Sequence, residues 1–188
     1  MLSILQPLIL FLVIMDPLVG VSALLSMGKG KTEKELRKIA IKSVIVASLV
    51  FFTFAFFGSL ALELLGVTLD SFRAAAGIIL IILGIQFSLG LSFPKKDEEI
   101  SEVAVVIGTP LISGPATISA TIVLVSDIGL FTTLLAGTIA LATVLVSLLA
   151  ATRISKMIGL AGMQVLTTMM GLVTIAWGIQ FLVQGLGF

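Results

Sequence analysis

The sequence predicts an all-α integral membrane protein with six transmembrane helices, arranged as two inverted three-helix repeats whose first and fourth helices are discontinuous. Three observations predict this fold: a very apolar composition, charges confined to short clusters, and motifs that recur half a chain apart. Of 188 residues, 59% are hydrophobic and only 11% are charged, whereas a soluble domain has about 25% charged residues. This composition excludes an ordinary soluble enzyme and a disordered chain.

Long apolar runs supply the six predicted helices. Each run covers the roughly 20 residues that a helix needs to cross a bilayer. The first run, residues 1–28, is apolar except for Asp16 and has no basic residue ahead of it, so we expect a retained span rather than a cleaved signal peptide. The other five runs carry no charge, and they cover residues 43–62, 74–94, 103–126, 128–152 and 157–188.

The basic residues predict the orientation of the chain. All but one of the 11 basic residues lie in the first, third and fifth connections between helices, and Arg73 alone lies on the other side. We expect the protein in the cytoplasmic membrane. Because Lys and Arg accumulate in cytoplasmic loops, we expect these three connections on the cytoplasmic side and both termini outside. The residues concerned are Lys29, Lys31, Lys34, Arg37, Lys38, Lys42, Lys95, Lys96, Arg153 and Lys156.

Two helix starts are readable from capping signals. Thr32 with Glu35 three residues later fits a capping box, which predicts that the second helix begins near Glu33. Asp70 stands before an apolar run and is predicted to be the N-cap of the third helix.

Two motifs recur at nearly the same spacing along the chain. The segment at residues 77–87 and the segment at 171–181 both begin with Gly and end in Gly-Ile-Gln-Phe, and they are offset by 94 residues. The segments at residues 16–20 and 109–114 both contain Pro-Leu followed by Gly. We therefore predict repeats at residues 1–94 and 95–188. Three spans per repeat invert the second copy, an arrangement typical of secondary transporters.

Prolines predict a break in the first and fourth spans at membrane depth. Pro17 interrupts the first span, and the segment at residues 108–115 interrupts the fourth. Each break exposes a helix N-terminus, whose N–H groups bind carboxylates. Each break also exposes carbonyl groups, near Ile14 and near Ile107, that attract cations. Packing kinks without a ligand are the alternative. The predicted substrate-binding residues are Asp16, Pro17, Leu18, Val19, Gly20, Thr109, Pro110, Ser113, Gly114, Pro115 and Thr117.

Three polar side chains within the spans have predicted roles. Asp16 is the one ionisable residue deep in a span, where such residues mark substrate or proton paths. It can couple transport to protons, cap the helix that begins at Pro17, or do both. Gln86 and Gln180 occupy equivalent repeat positions and either support the site or form hydrogen bonds between helices. The repeated glycines of the same segments suit close helix packing.

Missing residue types narrow the function further. The chain has neither Cys nor His, which removes disulfides, thiol catalysis and the commonest metal ligands. An aspartyl protease needs two buried carboxylates, and a serine nucleophile needs a base. We therefore expect no enzyme, no cofactor and no metal. The net charge of +1 gives no nucleic-acid footprint. Six-helix bundles often associate, so a homo-oligomer stays open.

These motifs together resemble the MarC family of six-span membrane proteins. The resemblance rests on residues 16–20 and 110–115, on the Phe-Arg-Ala-Ala-Ala-Gly-Ile segment at 72–78 and on the last span, and it covers essentially the whole chain. Many members have Asn where Asp16 stands, and many have Gly where Ala116 stands. The archaeal SnatA-like branch implies proton-driven uptake of a small neutral amino acid, such as glycine or alanine. Sodium is the alternative coupling ion. A channel or efflux pore, or a structural membrane protein without a ligand, are the competing functions.

Overall fold

The computed structural model describes residues 2–28, 30–89 and 112–187, and these ranges contain α-helices, one π-helical residue at Ile112 and no strand. The predicted all-helical class is therefore confirmed for the described part of the chain. The helices, numbered in chain order, are α1 (Leu2–Met15), α2 (Pro17–Met27), α3 (Glu33–Leu64), α4 (Leu69–Leu89), α5 (Pro115–Ile128), α6 (Leu130–Leu149) and α7 (Ala151–Gly185).

Five helical stretches are long and apolar enough to cross a membrane. The first combines α1 and α2, and α5 is a shorter apolar helix. The predicted fourth span begins before residue 112, so its first part and the predicted residues Thr109 and Pro110 lie outside the described residues. The five stretches are Ile4–Ser26, Glu33–Leu64, Leu69–Leu89, Leu130–Leu149 and Ala161–Gly185.

One of the two predicted helix starts is confirmed and the other is wrong. At the start of α3, the Thr32 hydroxyl accepts a hydrogen bond from the Glu35 N–H at 3.4 Å, and the Glu35 carboxylate accepts one from the Thr32 N–H at 2.7 Å. Helix α4 begins at Leu69, so Asp70 lies in the first turn of the helix and is not its N-cap. Thr68 takes over the capping, because its hydroxyl reaches the N–H of Ser71 at 3.2 Å.

The connection between α6 and α7 is helical rather than the predicted basic loop. Arg153 and Lys156 are exposed residues of α7, which departs from helical geometry at Gly159, where φ is 71° and ψ is 166°. Glycine adopts positive φ at little steric cost, so it allows the chain to turn there. The membrane-length stretch of α7 then begins at Ala161.

The most extensive helix contact joins α4 and α7 through the repeated glycines. A Cβ atom on Gly77 would lie 2.5 Å from the Gly178 carbonyl oxygen, and a Cβ on Gly84 would lie 2.6 Å from the Gly171 oxygen. The contacts are reciprocal, because a Cβ on Gly178 would lie 2.8 Å from the Gly77 oxygen. The predicted close packing is confirmed, and we call this contact the glycine seam.

Two further contacts tie the bundle together. Phe11 of α1 and Phe51 of α3 meet edge to face, with ring centroids 5.5 Å apart. A Cβ on Gly137 of α6 would overlap the Phe51 ring, so this glycine makes room for the aromatic pair. At the end of the bundle where α4 begins and α5 ends, Arg73 forms a salt bridge with Asp127.

Replacing Gly77 with alanine is expected to lower the melting temperature of the purified protein in detergent. The new Cβ would press on two backbone atoms, the Gly178 oxygen and the Leu182 nitrogen, both at 2.5 Å. Backbone atoms cannot rotate away, so α4 and α7 must separate, and overpacking of this kind costs about 1–3 kcal/mol. Ala176→Leu is the control, because Ala176 is an exposed residue of α7. Equal melting temperatures for Gly77→Ala and the wild type would contradict the seam.

Candidate functional site

The first break lies at a single residue between two helices. The helix α1 ends at Met15 and α2 begins at Pro17. Between them Asp16 has φ of 25° and ψ of 90°, the one positive φ among the described residues other than glycine. A backbone outside the favoured regions costs about 1–3 kcal/mol and clusters at functional sites. The predicted discontinuity of the first span is confirmed.

The Asp16 carboxylate caps α2, as the sequence predicts. Its Oδ1 atom accepts hydrogen bonds from the N–H groups of Leu18 at 3.0 Å and Val19 at 3.3 Å. The side chain is 1% exposed, so these bonds form inside the protein. They also correct one expectation: the N–H groups of Leu18 and Val19, expected to meet the carboxylate of a ligand, are already occupied by Asp16.

The second oxygen of the same carboxylate is differently placed. Oδ2 is buried and accepts no hydrogen bond from any residue that the structure describes. The Thr167 hydroxyl of α7 faces this carboxyl group without completing a hydrogen bond of normal geometry to Oδ2. Thr167 is itself buried. Sequence reasoning missed it, since a threonine in an apolar helix carries no signal of what it faces.

The end of α1 adds backbone oxygens to this region. Within the described ranges, no N–H or hydroxyl donates a hydrogen bond to the carbonyl oxygens of Val13, Ile14 or Met15. All three residues are buried. A helix C-terminus carries partial negative charge on such carbonyls. The first break therefore combines a carboxylate oxygen, a hydroxyl and free carbonyls.

The predicted second break is described only from residue 112 onward, and there its cap differs from that of the first break. The helix α5 begins at Pro115, with Gly114 as N-cap and no side-chain hydrogen bond to its first N–H groups. The N–H of Ile118 bonds to the Gly114 carbonyl at 3.0 Å. The N–H groups of Ala116 and Thr117, both in buried residues, have no acceptor in the described part of the chain. Pro115 as first helical residue agrees with the prediction.

Two predicted hydroxyls hold this second break in place. The Ser113 hydroxyl donates to the Ala47 carbonyl of α3 at 2.8 Å, and the Thr117 hydroxyl donates to the Ile112 carbonyl at 2.8 Å. Both side chains are buried. Their hydroxyl protons are therefore engaged with backbone, and the free donors of this break are its N–H groups.

The two breaks lie at about the same depth in the bundle. Asp16 follows Phe11 by five residues, about 7.5 Å along a helix, and Ala47 precedes Phe51 by one turn, about 6 Å. The chain reverses between α1 and α3, and Phe11 contacts Phe51. Along the bundle axis, the depths of Asp16 and of the Ser113–Ala47 hydrogen bond therefore differ by only about 1.5–3 Å.

The remaining predicted residues lie around the first break or away from it. Pro17, Leu18 and Val19 are half-buried, and a Cβ on buried Gly20 would meet the Leu148 side chain at 3.3 Å. By contrast, Gln86 is half-buried on α4 and Gln180 is exposed on α7. Neither glutamine side chain makes a hydrogen bond within the described ranges, so their predicted roles stay predictions.

The chain is similar to a known family of membrane proteins. A sequence model described as MarC family integral membrane protein matches residues 1–187. A UPF0056 membrane protein of Methanocaldococcus jannaschii is 33% identical over 185 residues, which cover 92% of this chain and 90% of that protein. One from Pyrococcus abyssi is 32% identical, covering 79% and 77%. The membrane protein YhcE of Escherichia coli is 27% identical, covering 92% and 86%. No solved structure matches.

Substitution of Asp16 separates its capping role from its charge. Asp16→Asn keeps an oxygen for the N–H groups of Leu18 and Val19, so we expect a melting temperature at or above that of the wild type. Asp16→Ala leaves both donors without this acceptor and should lower stability by about 0.5–2 kcal/mol. Thermal unfolding of the three purified proteins measures the difference. An alanine variant as stable as the asparagine variant would rule out the cap as the stabilising contact.

Proposed function

The chain belongs to the MarC family of integral membrane proteins, and we propose that it is a secondary transporter for a small neutral amino acid such as glycine or alanine. The proposal makes it a carrier that works by alternating access, with no enzymatic activity. The observation that carries it is the buried break at Asp16, where a strained backbone and an ionisable side chain meet inside a membrane span. Such broken helices at membrane depth are typical of secondary transporters.

The proposed architecture is six spans in two inverted repeats, residues 1–94 and 95–188. The glycine seam supports it. Adding the 94-residue offset to Gly77 gives Gly171, and subtracting it from Gly178 gives Gly84. Swapping the two repeats therefore converts the contact of Gly77 with Gly178 into the contact of Gly171 with Gly84. Both contacts are present. Reciprocal contacts of this kind are typical of a two-fold axis.

In the proposed orientation, both termini lie outside the cytoplasmic membrane. The exposure of Lys34, Arg37 and Lys38 at the start of α3, and of Arg153 and Lys156 at the start of α7, supports a shared cytoplasmic end. The one basic residue of the opposite end, Arg73, is neutralised by Asp127.

The two breaks offer complementary charges to a zwitterion. We assign the carboxylate of the amino acid to the N–H groups of Ala116 and Thr117 at the start of α5, where the helix dipole favours an anion. The ammonium group faces the negative region formed by Asp16 and the last carbonyls of α1. The common depth of the breaks supports a single binding site between them. Buried small residues such as Gly20 and Ala120 favour a small substrate.

Proton coupling is assigned to Asp16, which is the one buried ionisable residue in the part of the chain that the structure describes. An unpaired charge is costly at this depth, so the carrier loaded with amino acid crosses with Asp16 protonated. The proton and the amino acid leave on the cytoplasmic side, and the emptied carrier returns with Asp16 deprotonated and hydrated, so that one proton enters with each amino acid.

Uptake by proteoliposomes tests the function. We expect the purified protein to accumulate labelled glycine and alanine when the outside is more acidic than the inside. Asp16→Asn should reduce gradient-driven accumulation to the level of protein-free liposomes, because it carries no titratable proton, while exchange of internal for external glycine continues. Thr143→Val serves as control, since Thr143 is an exposed residue of α6 whose hydroxyl donates to the carbonyl of Ile139 in its own helix.

Three outcomes would each contradict a part of the proposal. Liposomes that neither bind nor move glycine and alanine, with or without a proton gradient, would refute the substrate. Flux that does not saturate and gives no counterflow would identify a pore instead of a carrier. Full gradient-driven accumulation by Asp16→Asn would remove Asp16 from the coupling mechanism.

A further inference from the structure

We propose that the Asp16 carboxylate and the Thr167 hydroxyl form a binding site for Na⁺, and that a proton and Na⁺ occupy this site alternately. The site shares its carboxyl group with the proposed transport function. Binding of Na⁺ is nevertheless a property of the resting protein and can be measured without any transport.

The Asp16 carboxylate is buried, and one of its two oxygens has no hydrogen-bond donor among the described residues. Asp16 is 1% exposed, and only its Oδ1 atom is engaged, by the N–H groups of Leu18 and Val19. Oδ2 accepts no hydrogen bond from the described residues. A buried carboxylate with one unpaired oxygen must acquire a proton or a cation, because an isolated charge is too costly away from water.

No basic side chain in the described part of the chain supplies that cation. The helices α1, α2 and α6 contain no Lys or Arg, and no other Asp or Glu. The charges of α7 are Arg153 and Lys156, both exposed before the kink at Gly159. Helix α5 carries only Asp127, at its far end. The charges of α4 are Asp70 and Arg73, in its first turns, and those of α3 are at its start and at exposed Glu63.

The available ligands are all oxygens, which selects the class of cation. The Thr167 hydroxyl faces the Asp16 carboxyl group, and α1, whose last carbonyls at Val13, Ile14 and Met15 accept no hydrogen bond from the described residues, ends directly before Asp16. Oxygen donors suit hard cations, and carbonyls at an interrupted helix end coordinate Na⁺ in other transporters. A single carboxylate balances one positive charge, whereas a divalent ion would leave a net charge buried. The geometry therefore points to Na⁺.

Thermal stability measured without any amino acid tests the site. The purified protein in detergent at about pH 8 is titrated with NaCl, and choline chloride keeps the ionic strength constant. We expect the melting temperature to rise saturably with Na⁺, because a ligand of the folded state stabilises it. Asp16→Asn should abolish the rise, and Thr167→Val should weaken the apparent affinity about tenfold. Thr143→Val should behave as the wild type.

Competition with protons supplies an independent readout. At a pH near 6 the wild type should need more Na⁺ for the same shift, because a protonated Asp16 excludes the ion. An apparent affinity that does not change between the two pH values would overturn the alternate occupation. If Asp16→Asn does not fold, binding of radioactive Na⁺ to the wild type and to Thr167→Val decides in its place, and equal binding by the two would overturn the site.

The outcomes separate this proposal from the transport function. A melting temperature that rises with glycine but not with Na⁺ would assign Oδ2 to the substrate ammonium, which refutes the sodium site and leaves transport standing. A rise with Na⁺ alone, unaffected by glycine or alanine, would support the sodium site and refute the amino acid substrate.

Discussion

The capping of α2 by a carboxylate inside the bundle is the interaction on which the rest of the structure depends. Pro17 starts a new helix at membrane depth, and the first N–H groups of that helix have no water to bond. Oδ1 of Asp16 accepts from two of them and thereby permits the strained backbone at that residue. Because a carboxylate has two oxygens, the residue that stabilises the break also leaves within it a buried oxygen that accepts no hydrogen bond from the described residues.

The two breaks are equivalent in depth but opposite in charge. At the first break, the last carbonyls of α1 accept no hydrogen bond from the described residues and a carboxylate caps the start of α2, which makes the surroundings negative. The second starts α5 with Gly114, which has no side chain to cap Ala116 and Thr117, and its surroundings are positive. In the proposed inverted repeat, the same cap in both halves would present like charges to the proposed binding site. The difference between Asp16 and Gly114 suits the two breaks to the proposed zwitterionic substrate.

Local signals in the sequence predicted most of the helices, but the contacts that complete the site are tertiary. Pro17, Pro115 and the capping box at Thr32 act within a few residues, so their effects are readable along the chain. Arg153 and Lys156 suggested a loop because charge clusters usually mark loops, yet they lie in a helix. The contacts of Thr167 with Asp16, and of Ser113 with the Ala47 carbonyl, join residues far apart in sequence. No periodicity or spacing specifies such pairs.

The symmetry of the seam bears on how a carrier of this fold would move. In the proposed inverted repeat, exchanging the two halves maps the contact of Gly77 with Gly178 onto that of Gly84 with Gly171, so the seam serves both conformations unchanged. The salt bridge of Arg73 with Asp127 has no such counterpart, because the same 94-residue offset leads to Thr167 and Glu33. The seam is therefore suited to act as a fixed axis. In the proposed carrier, the salt bridge would hold one end of the bundle in one conformation only and would open when the two halves exchange conformations.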